Sequence, residues 1–556
     1  MKSEINKHTY WFKDAVIYQI YPRSFCDSNG DGLGDINGII SKLDYLKELG
    51  VNCVWLSPIY DSPQKDNGYD IANYVDIYPP FGTLDDAKRM FAEMHKRGIQ
   101  VIMDLVVNHT SDQHRWFQEA IKDKNSPYRD YYIIKPGRKN GKKPPNNWTG
   151  FFGEGAWSRI EGTNDYYLHL FTKEQPDLNW ENPKLREEIK KMLRFWLDLG
   201  VDGFRCDVIN LISKKQEFKN AFPAPALVGK SNYINGPRLH EYLHSLYEDV
   251  YRNYDSMTVG ETVLSSINDA IELTSPDREE LDMIFNFSHT DSDNFLGVKY
   301  FKRKFSLVRF KKRLEKWQLG LKDKGWNSLF IENHDQRRSV GRFGTDENDI
   351  NSSKSLAMVY FFLQGTPFIY QGQEIGMHNA DFKSIDEIED VESRNIYKIF
   401  SKLPFKKKLY NILYEVSRDN ARTPMIWDNS TYGGFSKVKP WLRVNPTKDK
   451  VNVKKSLEDK DSLYYFYKKL IEYRKGNEVI RNGDFKLLCR NSKSIFAYER
   501  TYENKKIVVI ANMSHKNKKV KLINNLSDND IVISNFVSHE KYLKPFECRV
   551  YEIKEK

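Results

Sequence analysis

The segment NPKLREEIKKMLRFWLDLGVDGFRCD, residues 182–207, contains one complete helix–strand unit of the fold. It opens with Asn182 and Pro183, and proline is favoured in the first turn of a helix because its φ angle is already helical. The apolar run from Val201 to Cys206 follows Gly200, a common helix terminator, and predicts a buried strand. Between them, apolar residues recur at helical spacing and form one face: Leu185, Ile189, Met192, Leu193, Trp196 and Leu197.

The same unit recurs along most of the chain. Short, continuously apolar runs alternate with amphipathic helical patterns, of which residues 84–96 are the clearest. Strands of this kind are typical of a parallel sheet covered on both faces. Eight strand runs can be placed, and they predict an α/β fold built on a (β/α)8 TIM barrel: 15–20, 51–56, 99–107, 201–206, 257–260, 283–287, 328–331 and 367–370.

Two stretches interrupt this pattern. Residues 109–176 are rich in Asn, Gly, Pro, Trp and Tyr and are too long for a plain loop, which indicates a small inserted domain after strand three. Residues 476–556 change to short alternating strands and predict a C-terminal antiparallel β-sandwich domain. The predicted barrel therefore consists of residues 1–108 and 177–475.

Composition excludes several classes of protein. The chain has 556 residues, with 87 basic and 76 acidic side chains, and its net charge of +11 is spread in short Lys runs that are typical of a solvated surface rather than a nucleic-acid interface. The N-terminus lacks a secretory apolar region, and no apolar run approaches the roughly 18–20 residues that cross a bilayer. Five cysteines without a C-x-x-C spacing are typical of reduced thiols. We therefore expect a cytoplasmic protein with neither nucleic-acid nor membrane partners.

Polar residues follow four of the predicted strands, at the ends where barrel enzymes carry their chemistry. Strand three is followed by Asp104 to His109, strand four by Arg205 and Asp207, strand five by Glu261 and strand seven by Glu332 to Asp335. Each carboxylate alone would fit a helix cap or a turn. Because four strand ends converge on one barrel face, together they predict a catalytic site.

These motifs resemble those of the α-amylase superfamily, glycoside hydrolase family 13. The resemblance runs over nearly the whole chain and is closest to the oligo-1,6-glucosidase and α-glucosidase group. Five family motifs stand in order: DLVVNH (104–109), QPDLNW (175–180), GFRCDVIN (203–210), VGET (259–262) and ENHD (332–335). The group likeness is carried by YQIYPRSF (18–25), DNGYDI (66–71) and RDNARTPM (418–425).

The resemblance implies a retaining glycosidase, which uses one ionised carboxylate as nucleophile and one protonated carboxyl as acid. It implies that Asp207 is the nucleophile and Glu261 the acid/base, while Asp335 and His334 hold the sugar hydroxyls. Arg205 lies two residues before Asp207, on the same strand face, and its charge should keep Asp207 ionised.

The resemblance also implies a closed pocket for one terminal glucose, and hence exo-action on short sugars. Asp66 and Arg418 would close the pocket, and His109 would donate near the 6-hydroxyl. Aromatic residues would stack on the sugar or line the pocket, although they could instead be ordinary core residues: Tyr69, Phe152 and Phe171.

Linkage and leaving group are less strongly constrained. Val208 follows the nucleophile, and in the resembled group valine there tends to accompany α-1,6 cleavage, although valine is also simply a good strand residue. Three alternatives use the same machinery: a trehalose-6-phosphate hydrolase, an α-1,4 maltase or a sucrose isomerase. For the first of these, Arg337 and Arg338 are suggestive, because guanidinium groups bind phosphate well. A non-catalytic relative of the transporter heavy-chain type is disfavoured, since all three carboxyls are present.

Several departures from the family pattern also concern the leaving-group side. Near relatives usually carry Pro where this chain has Arg337. Glu332 and Gln373 also differ from the common residues, as does the stretch 214–235. Because of these departures, the identity of the leaving group is not determined by the resemblance, whereas the catalytic step is.

Residues 27–35 place oxygen ligands at alternate positions, as a hard cation prefers. Position twelve of this loop is Gly38 rather than a bidentate Glu, so it is not an EF-hand. By resemblance the loop would bind a structural Ca²⁺ and no catalytic cofactor is expected. The ligands would be Asp27, Asn29, Asp31, the Leu33 carbonyl and Asp35.

Overall fold

Eight parallel strands form the centre of the structure, a computed structural model that describes residues 9–295, 298–404 and 406–554. They are β1 Ile17–Ile20, β2 Cys53–Leu56, β3 Gln100–Leu105, β4 Gly203–Cys206, β5 Met257–Glu261, β6 Met283–Phe285, β7 Ser328–Leu329 and β8 Thr366–Tyr370. The sheet order is β6-β5-β4-β3-β2-β1-β8-β7, and a parallel bridge between Ile284 and Asn327 joins its two edges. The predicted (β/α)8 barrel is therefore confirmed.

The strands are mostly apolar because both of their faces are buried. On β2, Cys53 and Trp55 point into the barrel, whereas Val54 and Leu56 pack outward among the helices. Inward residues of other strands complete the barrel interior, among them Ile17, Ile102, Val259, Phe285 and Phe368.

Helices cover the barrel, and local sequence explains where they begin. Thr83 and Asp86 form a capping box before Leu84–Lys96, and the Asn182 side chain caps Pro183–Asp198. The other helices around the barrel are Ile36–Ile40, Leu43–Leu49, Leu239–Asp249, Ile267–Thr274, Leu307–Leu321 and Ile350–Phe361. The remaining helices are Arg115–Lys122, Arg138–Gly141, Lys230–Tyr233, Val391–Phe400, Lys406–Val416, Asp419–Arg422, Val453–Glu458, Leu463–Arg474 and Glu478–Asn482.

Antiparallel sheets lie outside the barrel. Tyr60–Asp61 pairs with Asn73–Ile77, and Asp165–Leu168 lies between Ile134–Pro136 and Trp157–Arg159 in the stretch after β3. The C-terminal antiparallel domain is confirmed as a five-stranded sheet, whose strands are Asp484–Leu488, Ile495–Tyr502, Lys505–Asn512, Cys548–Lys554 and Ile531–Ser534 in spatial order. We propose the domain boundaries given by the sequence, with residues 109–176 inserted into the barrel and 476–556 following it.

Candidate active site

The end of β4 brings the first charged residues into the barrel interior. Gly203 has a φ of +153°, and a Cβ there would lie 2.1 Å from the Met257 carbonyl oxygen, so β4 can approach β5 this closely only with glycine. Arg205 is in register with Asp104 on the neighbouring strand β3. Side chains alternate along a strand, so Arg205 and Asp207 point to the same side.

One buried guanidinium contacts three carboxyl groups. Nη1 of Arg205 donates to Asp104 Oδ1 at 2.6 Å and to Asp207 Oδ1 at 2.5 Å, and Nη2 lies 2.7 Å from Glu261 Oε2. Arg205 is only 1% exposed, so water screens these contacts little. The two carboxyls expected to do the chemistry are therefore held at the two ends of one cation.

Burial controls the protonation of these two carboxyls. It raises the pKa of Asp207 and that of Glu261 to about 7, and the charge of Arg205 opposes the rise in both cases. Contrary to the expectation from the sequence, Arg205 therefore does not by itself keep Asp207 ionised, because the effect of burial is larger. The negative charge of Asp207 further raises the pKa of Glu261, so an ionised Asp207 favours the protonated form of Glu261.

The residue after Asp207 has a strained backbone. Val208 has φ 37° and ψ 39°, a left-handed conformation that β-branched residues rarely adopt. Strand β4 has already ended at Cys206, so strand propensity does not explain this valine. The turn directs the Val208 N–H toward Glu261 Oε2, at 3.3 Å. Strain of this kind commonly accompanies functional sites.

The third carboxylate, Asp335, is held by two arginines. Arg422 Nη2 lies 2.6 Å from Asp335 Oδ1, and Arg418 Nη1 lies 3.5 Å from the same oxygen. Burial would raise the pKa of Asp335, but the neighbouring His334 and the guanidinium groups of Arg418 and Arg422 outweigh it and hold the pKa well below its usual range. Asp335 is therefore ionised at every pH at which the protein would work.

His334 lies between Asp335 and an aromatic ring. The rings of His334 and Tyr69 stack with centroids 5.2 Å apart, and the Tyr69 hydroxyl lies 2.7 Å from His334 Nε2. Gln19 donates its amide N–H to His334 Nδ1 at 2.8 Å, so Nε2 carries the proton. Burial lowers the pKa of His334 to about 3, and the ring is neutral. Nε2 also lies 3.3 Å from Asp335 Oδ2.

Asp66 and Arg418 meet at the far side of the site, as the sequence predicts. Arg418 Nη2 lies 3.2 Å from Asp66 Oδ1 and 2.6 Å from Asp390 Oδ1. Gln175 donates to Asp66 Oδ2 at 3.2 Å, and the Arg418 guanidinium lies 5.3 Å from the centre of the Phe152 ring. These contacts close one end of the site with paired charges.

The remaining expected pocket residues lie beside this closed end. His109 Nε2 lies 3.0 Å from the Tyr69 carbonyl oxygen, and the His109 and Phe171 ring centroids are 5.1 Å apart. Phe171 contacts Phe152 edge to face, with centroids 5.7 Å apart. Burial lowers the pKa of His109 to about 4. All the expected sugar-binding residues are thus gathered in one place.

Other residues of the site were not assigned from the sequence. Asp104 and Gln175 open two of the quoted motifs, and Arg422 lies four residues after Arg418, close to one helical turn. These positions could have been found from the motifs. Asp390 is remote in sequence from every motif, and nothing in its surroundings signals the contact with Arg418.

A cavity of about 1070 Å³ opens beside the carboxyl cluster. Its wall includes Asp335, residues 262–267 after Glu261, residues 298–300, and residues 224–228, which belong to the departing stretch 214–235. Of the described residues, those of the closed end are not on this wall. Of the three proposed catalytic carboxyls, Asp335 lines this wall and Asp207 and Glu261 do not, so the cavity reaches the site at Asp335 and at the residues that follow Glu261.

The departures from the family pattern have identifiable partners. Arg338 is 1% exposed, and its Nη1 lies 3.1 Å from Glu332 Oε2. Arg337 Nη2 lies 2.6 Å from Asp293 Oδ2, and Gln373 donates to two buried tyrosine hydroxyls at 2.9 and 2.7 Å. Both guanidinium groups already contact carboxylates, so the idea that they bind a phosphate has no support in the structure.

The expected calcium loop is closed by its own hydrogen bonds. Asp27 accepts backbone N–H groups at 2.6 and 2.9 Å, and Asp31 accepts the Leu33 N–H at 2.8 Å. Asn29 accepts the Asp31 N–H at 3.0 Å, and Asp35 caps the helix Ile36–Ile40. The oxygen donors fit Ca²⁺ in their chemistry. Their present arrangement does not itself demonstrate a cation site.

Within the described residues, three side chains of the types that can ligate a metal come together only at His244, Glu248 and Glu279, on the surface. The carboxylates of the 27–35 loop do not form such a group. Calcium binding by that loop therefore remains a proposal.

Comparison with known proteins agrees with the fold. Residues 19–483 match the model of the alpha amylase catalytic domain. The chain is 50% identical to an oligo-1,6-glucosidase of Parageobacillus thermoglucosidasius, covering 98% of this chain and 99% of that protein. It is 48% identical to a trehalose-6-phosphate hydrolase of Bacillus subtilis, covering 92% and 91%. A crystal structure of Bacillus licheniformis trehalose-6-phosphate hydrolase superposes with a TM-score of 0.92 at 44% identity, covering 98% and 100%.

A (β/α)8 barrel that collects paired carboxyls at its strand ends, beside a sugar-sized cavity, is the architecture of a barrel glycoside hydrolase. The chain belongs to the α-amylase family, glycoside hydrolase family 13, and is an enzyme of the glycosidase class. No helix among the described residues combines the length and apolarity needed to traverse a bilayer.

Proposed function

We propose that the protein is a retaining, exo-acting α-glucosidase that removes terminal α-1,6-linked glucose from short isomalto-oligosaccharides. The observation that carries this proposal is the position of Asp207 and Glu261 on the two ends of the Arg205 guanidinium. The α-1,6 linkage is supported by the 50% identity of the chain to an oligo-1,6-glucosidase.

In the proposed mechanism, an Asp207 carboxylate oxygen attacks the anomeric carbon while Glu261 gives its proton to the departing glycosidic oxygen. The C–O bond to the leaving sugar breaks as the covalent glucosyl ester forms. Glu261, now ionised, takes a proton from water, and the resulting hydroxide attacks the same carbon and releases Asp207. Proximity to Arg205 favours the ionised form of both carboxyls as each becomes charged.

Around this reaction we assign the other side chains to the bound glucose. Asp335, permanently ionised, accepts hydrogen bonds from ring hydroxyls, and neutral His334 donates beside it. The remaining proposed contacts are stacking by Tyr69, lining by Phe152 and Phe171, donation by His109 and closure by Asp66 and Arg418.

Exo-action is supported by the closed end of the site. The Asp66–Arg418 pair leaves no room for a chain to continue past the terminal glucose, whereas the cavity provides space on the leaving-group side. Val208 supports α-1,6 preference, because its constrained backbone contacts Glu261, the residue that would protonate the leaving sugar.

Comparing kcat/KM for isomaltose, maltose, sucrose and trehalose-6-phosphate tests the substrate assignment. We expect isomaltose to be the preferred substrate, with glucose as the product. Product analysis with sucrose separates hydrolysis from isomerisation. A dominant rate on trehalose-6-phosphate would replace the proposed substrate with a phosphorylated one.

The raised pKa values predict a bell-shaped pH dependence of kcat/KM with its maximum near neutral pH. As pH falls below about 7, Asp207 gains a proton and can no longer attack, and as pH rises above about 7, Glu261 loses the proton that it must donate. Asp335 causes no change in kcat/KM over this pH range, because its pKa lies well below its usual range. The measurement is kcat/KM for isomaltose between about pH 5 and 9. An activity that stays flat to alkaline pH would contradict the role of Glu261.

We propose that the 27–35 loop binds Ca²⁺ and thereby stabilises the fold, on the strength of its carboxylate and amide oxygens. Calcium added to EDTA-treated protein at about 100 times its Kd should raise the free energy of unfolding by about 2.7 kcal/mol and Tm by several degrees. Asp31→Asn, at an exposed position, should remove this shift, whereas Glu279→Gln at the other cluster should not. An equal shift in the Asp31 variant would assign the calcium to another site.

We propose a cytoplasmic location. All five cysteines are free thiols, and four of them are buried, which supports folding in a reducing compartment. Fractionation of the source cells tests this directly.

A further inference from the structure

One wall of the leaving-group cavity is a hairpin of two short strands, Asn294–Phe295 and Val298–Lys302. Its residues 298–300 face the cavity, together with Asp335 from the catalytic cluster. The two strands are bonded only to each other within the described residues, so other contacts must set the position of this hairpin relative to Asp335.

The near end of the hairpin is held by Arg337. Its Nη2 lies 2.6 Å from Asp293 Oδ2, immediately before the hairpin, and its Nη1 contacts Glu415 at the end of the helix Lys406–Val416. Asp293 is also contacted by Arg342, at 3.0 and 3.1 Å, and Glu415 by Lys302 from within the hairpin. Arg337 is 9% exposed and Asp293 3%, so their pairing is little screened by water.

The far side of the hairpin is tied to the closed end of the site. Lys299 Nζ lies 2.6 Å from Glu392 Oε2, and the Tyr300 hydroxyl donates to Glu392 Oε1 at 2.8 Å. Glu392 Oε2 in turn lies 3.7 Å from Nε of Arg418, which contacts both Asp66 and Asp335. Two ionic links therefore connect the hairpin to the site: one through Arg337, two residues after Asp335, and one through Arg418.

We propose that Arg337 is a positioning residue for the leaving group: it holds the paired strands Asn294–Phe295 and Val298–Lys302 against the Asp335 loop and so sets the shape of the leaving-group cavity. The inference rests on the proposed function, because it assigns the cavity to the leaving sugar. Arg337 acts on the sugar through the hairpin rather than as a catalytic residue.

Two substrates that differ in their leaving group can measure the effect of Arg337. Cleavage of isomaltose needs a sugar correctly seated in the cavity while its oxygen is protonated, whereas p-nitrophenyl α-glucoside has a small, activated leaving group that needs neither. A displacement of about 1 Å can cost on the order of a hundredfold in rate when geometry matters. Loosening the hairpin should therefore affect the two substrates very differently.

The test compares Arg337→Met, of similar length without charge, with Arg337→Lys, which keeps the charge. We expect Arg337→Met to lower kcat/KM for isomaltose by about tenfold to a hundredfold, mainly through a higher KM. Its kcat for p-nitrophenyl α-glucoside should stay within about twofold, and Arg337→Lys should recover most of the loss. Transfer of glucose to a second sugar, relative to hydrolysis, should fall because the acceptor uses the same cavity.

Lys88→Met is the control: it removes an exposed ion pair, with Asp85 on the helix Leu84–Lys96, that is not on the cavity wall, and it should change neither substrate. Equal losses of Arg337→Met on both substrates, or no loss on isomaltose, overturn the inference. Failure of the proposed function looks different: the unmodified enzyme would prefer another disaccharide in the substrate comparison. The same variants are then compared on that disaccharide, so the role of Arg337 is tested either way.

Discussion

Asp207→Asn is expected to lower kcat/KM on isomaltose by about four orders of magnitude or more while the protein remains folded. The amide is a poor nucleophile, so the covalent glucosyl ester cannot form. The fold should persist because Arg205 keeps its contacts with Asp104 and Glu261 after the substitution. Steady-state kinetics measure the loss, and thermal unfolding measures the stability.

Asp104→Asn is the matched control for this variant. It removes the same kind of contact from the same guanidinium, at 2.6 Å, but leaves the nucleophile in place. Its activity should fall far less than that of Asp207→Asn. Residual activity of Asp207→Asn above about one per cent, or an equal loss in both variants, would mean that Asp207 is not the nucleophile.

Glu261→Gln is expected to lower kcat/KM on isomaltose by about 10²- to 10⁴-fold, because the sugar alkoxide then leaves without a proton. Substrates with activated leaving groups, such as p-nitrophenyl α-glucoside, should still glucosylate Asp207. Hydrolysis of the ester is slow without the general base, so glucosyl-enzyme should accumulate and be visible by mass spectrometry. Azide, which needs no deprotonation, should release it and restore turnover.

The same variant tests the origin of the alkaline limb of the pH profile. With glutamine at position 261, kcat/KM for p-nitrophenyl α-glucoside should no longer fall as pH rises through the raised pKa of Glu261. The acid limb, which reports Asp207, should remain. An unchanged alkaline limb, or the absence of azide rescue, would assign the acid/base role to another group.

The barrel could be predicted from the sequence because each of its strands is buried on both faces. Runs such as residues 367–370 are therefore apolar throughout, and the helix at 84–96 has both an N-terminal capping box and apolar periodicity. The ends of the strands were predicted less accurately: β7 consists only of Ser328–Leu329, although the apolar run continues to Ile331. An apolar run in the sequence indicates buried residues, and residues stay buried beyond the last hydrogen bond between the strands.

The site was predictable to the extent that its residues lie in local motifs. Asp207, Glu261 and Asp335 follow three separate strands, and barrel closure alone brings them together. The charge balance was not predictable, because it depends on three carboxyls sharing Arg205 and on Asp390 reaching Arg418 across the fold. The left-handed backbone of Val208 could not be predicted either, since valine is a residue typical of strands.

The closed end of the site, formed by Asp66 and Arg418, determines the order in which molecules come and go. With the proposed closure at this end, substrate would enter and both products would depart at the cavity side, so the shortened oligosaccharide would exit before the free glucose behind it. Such an enzyme could not slide to the next unit of the same chain, and every cut would require a new encounter. Catalysis of this kind would be distributive, and accumulated glucose would compete with incoming substrate for the same site.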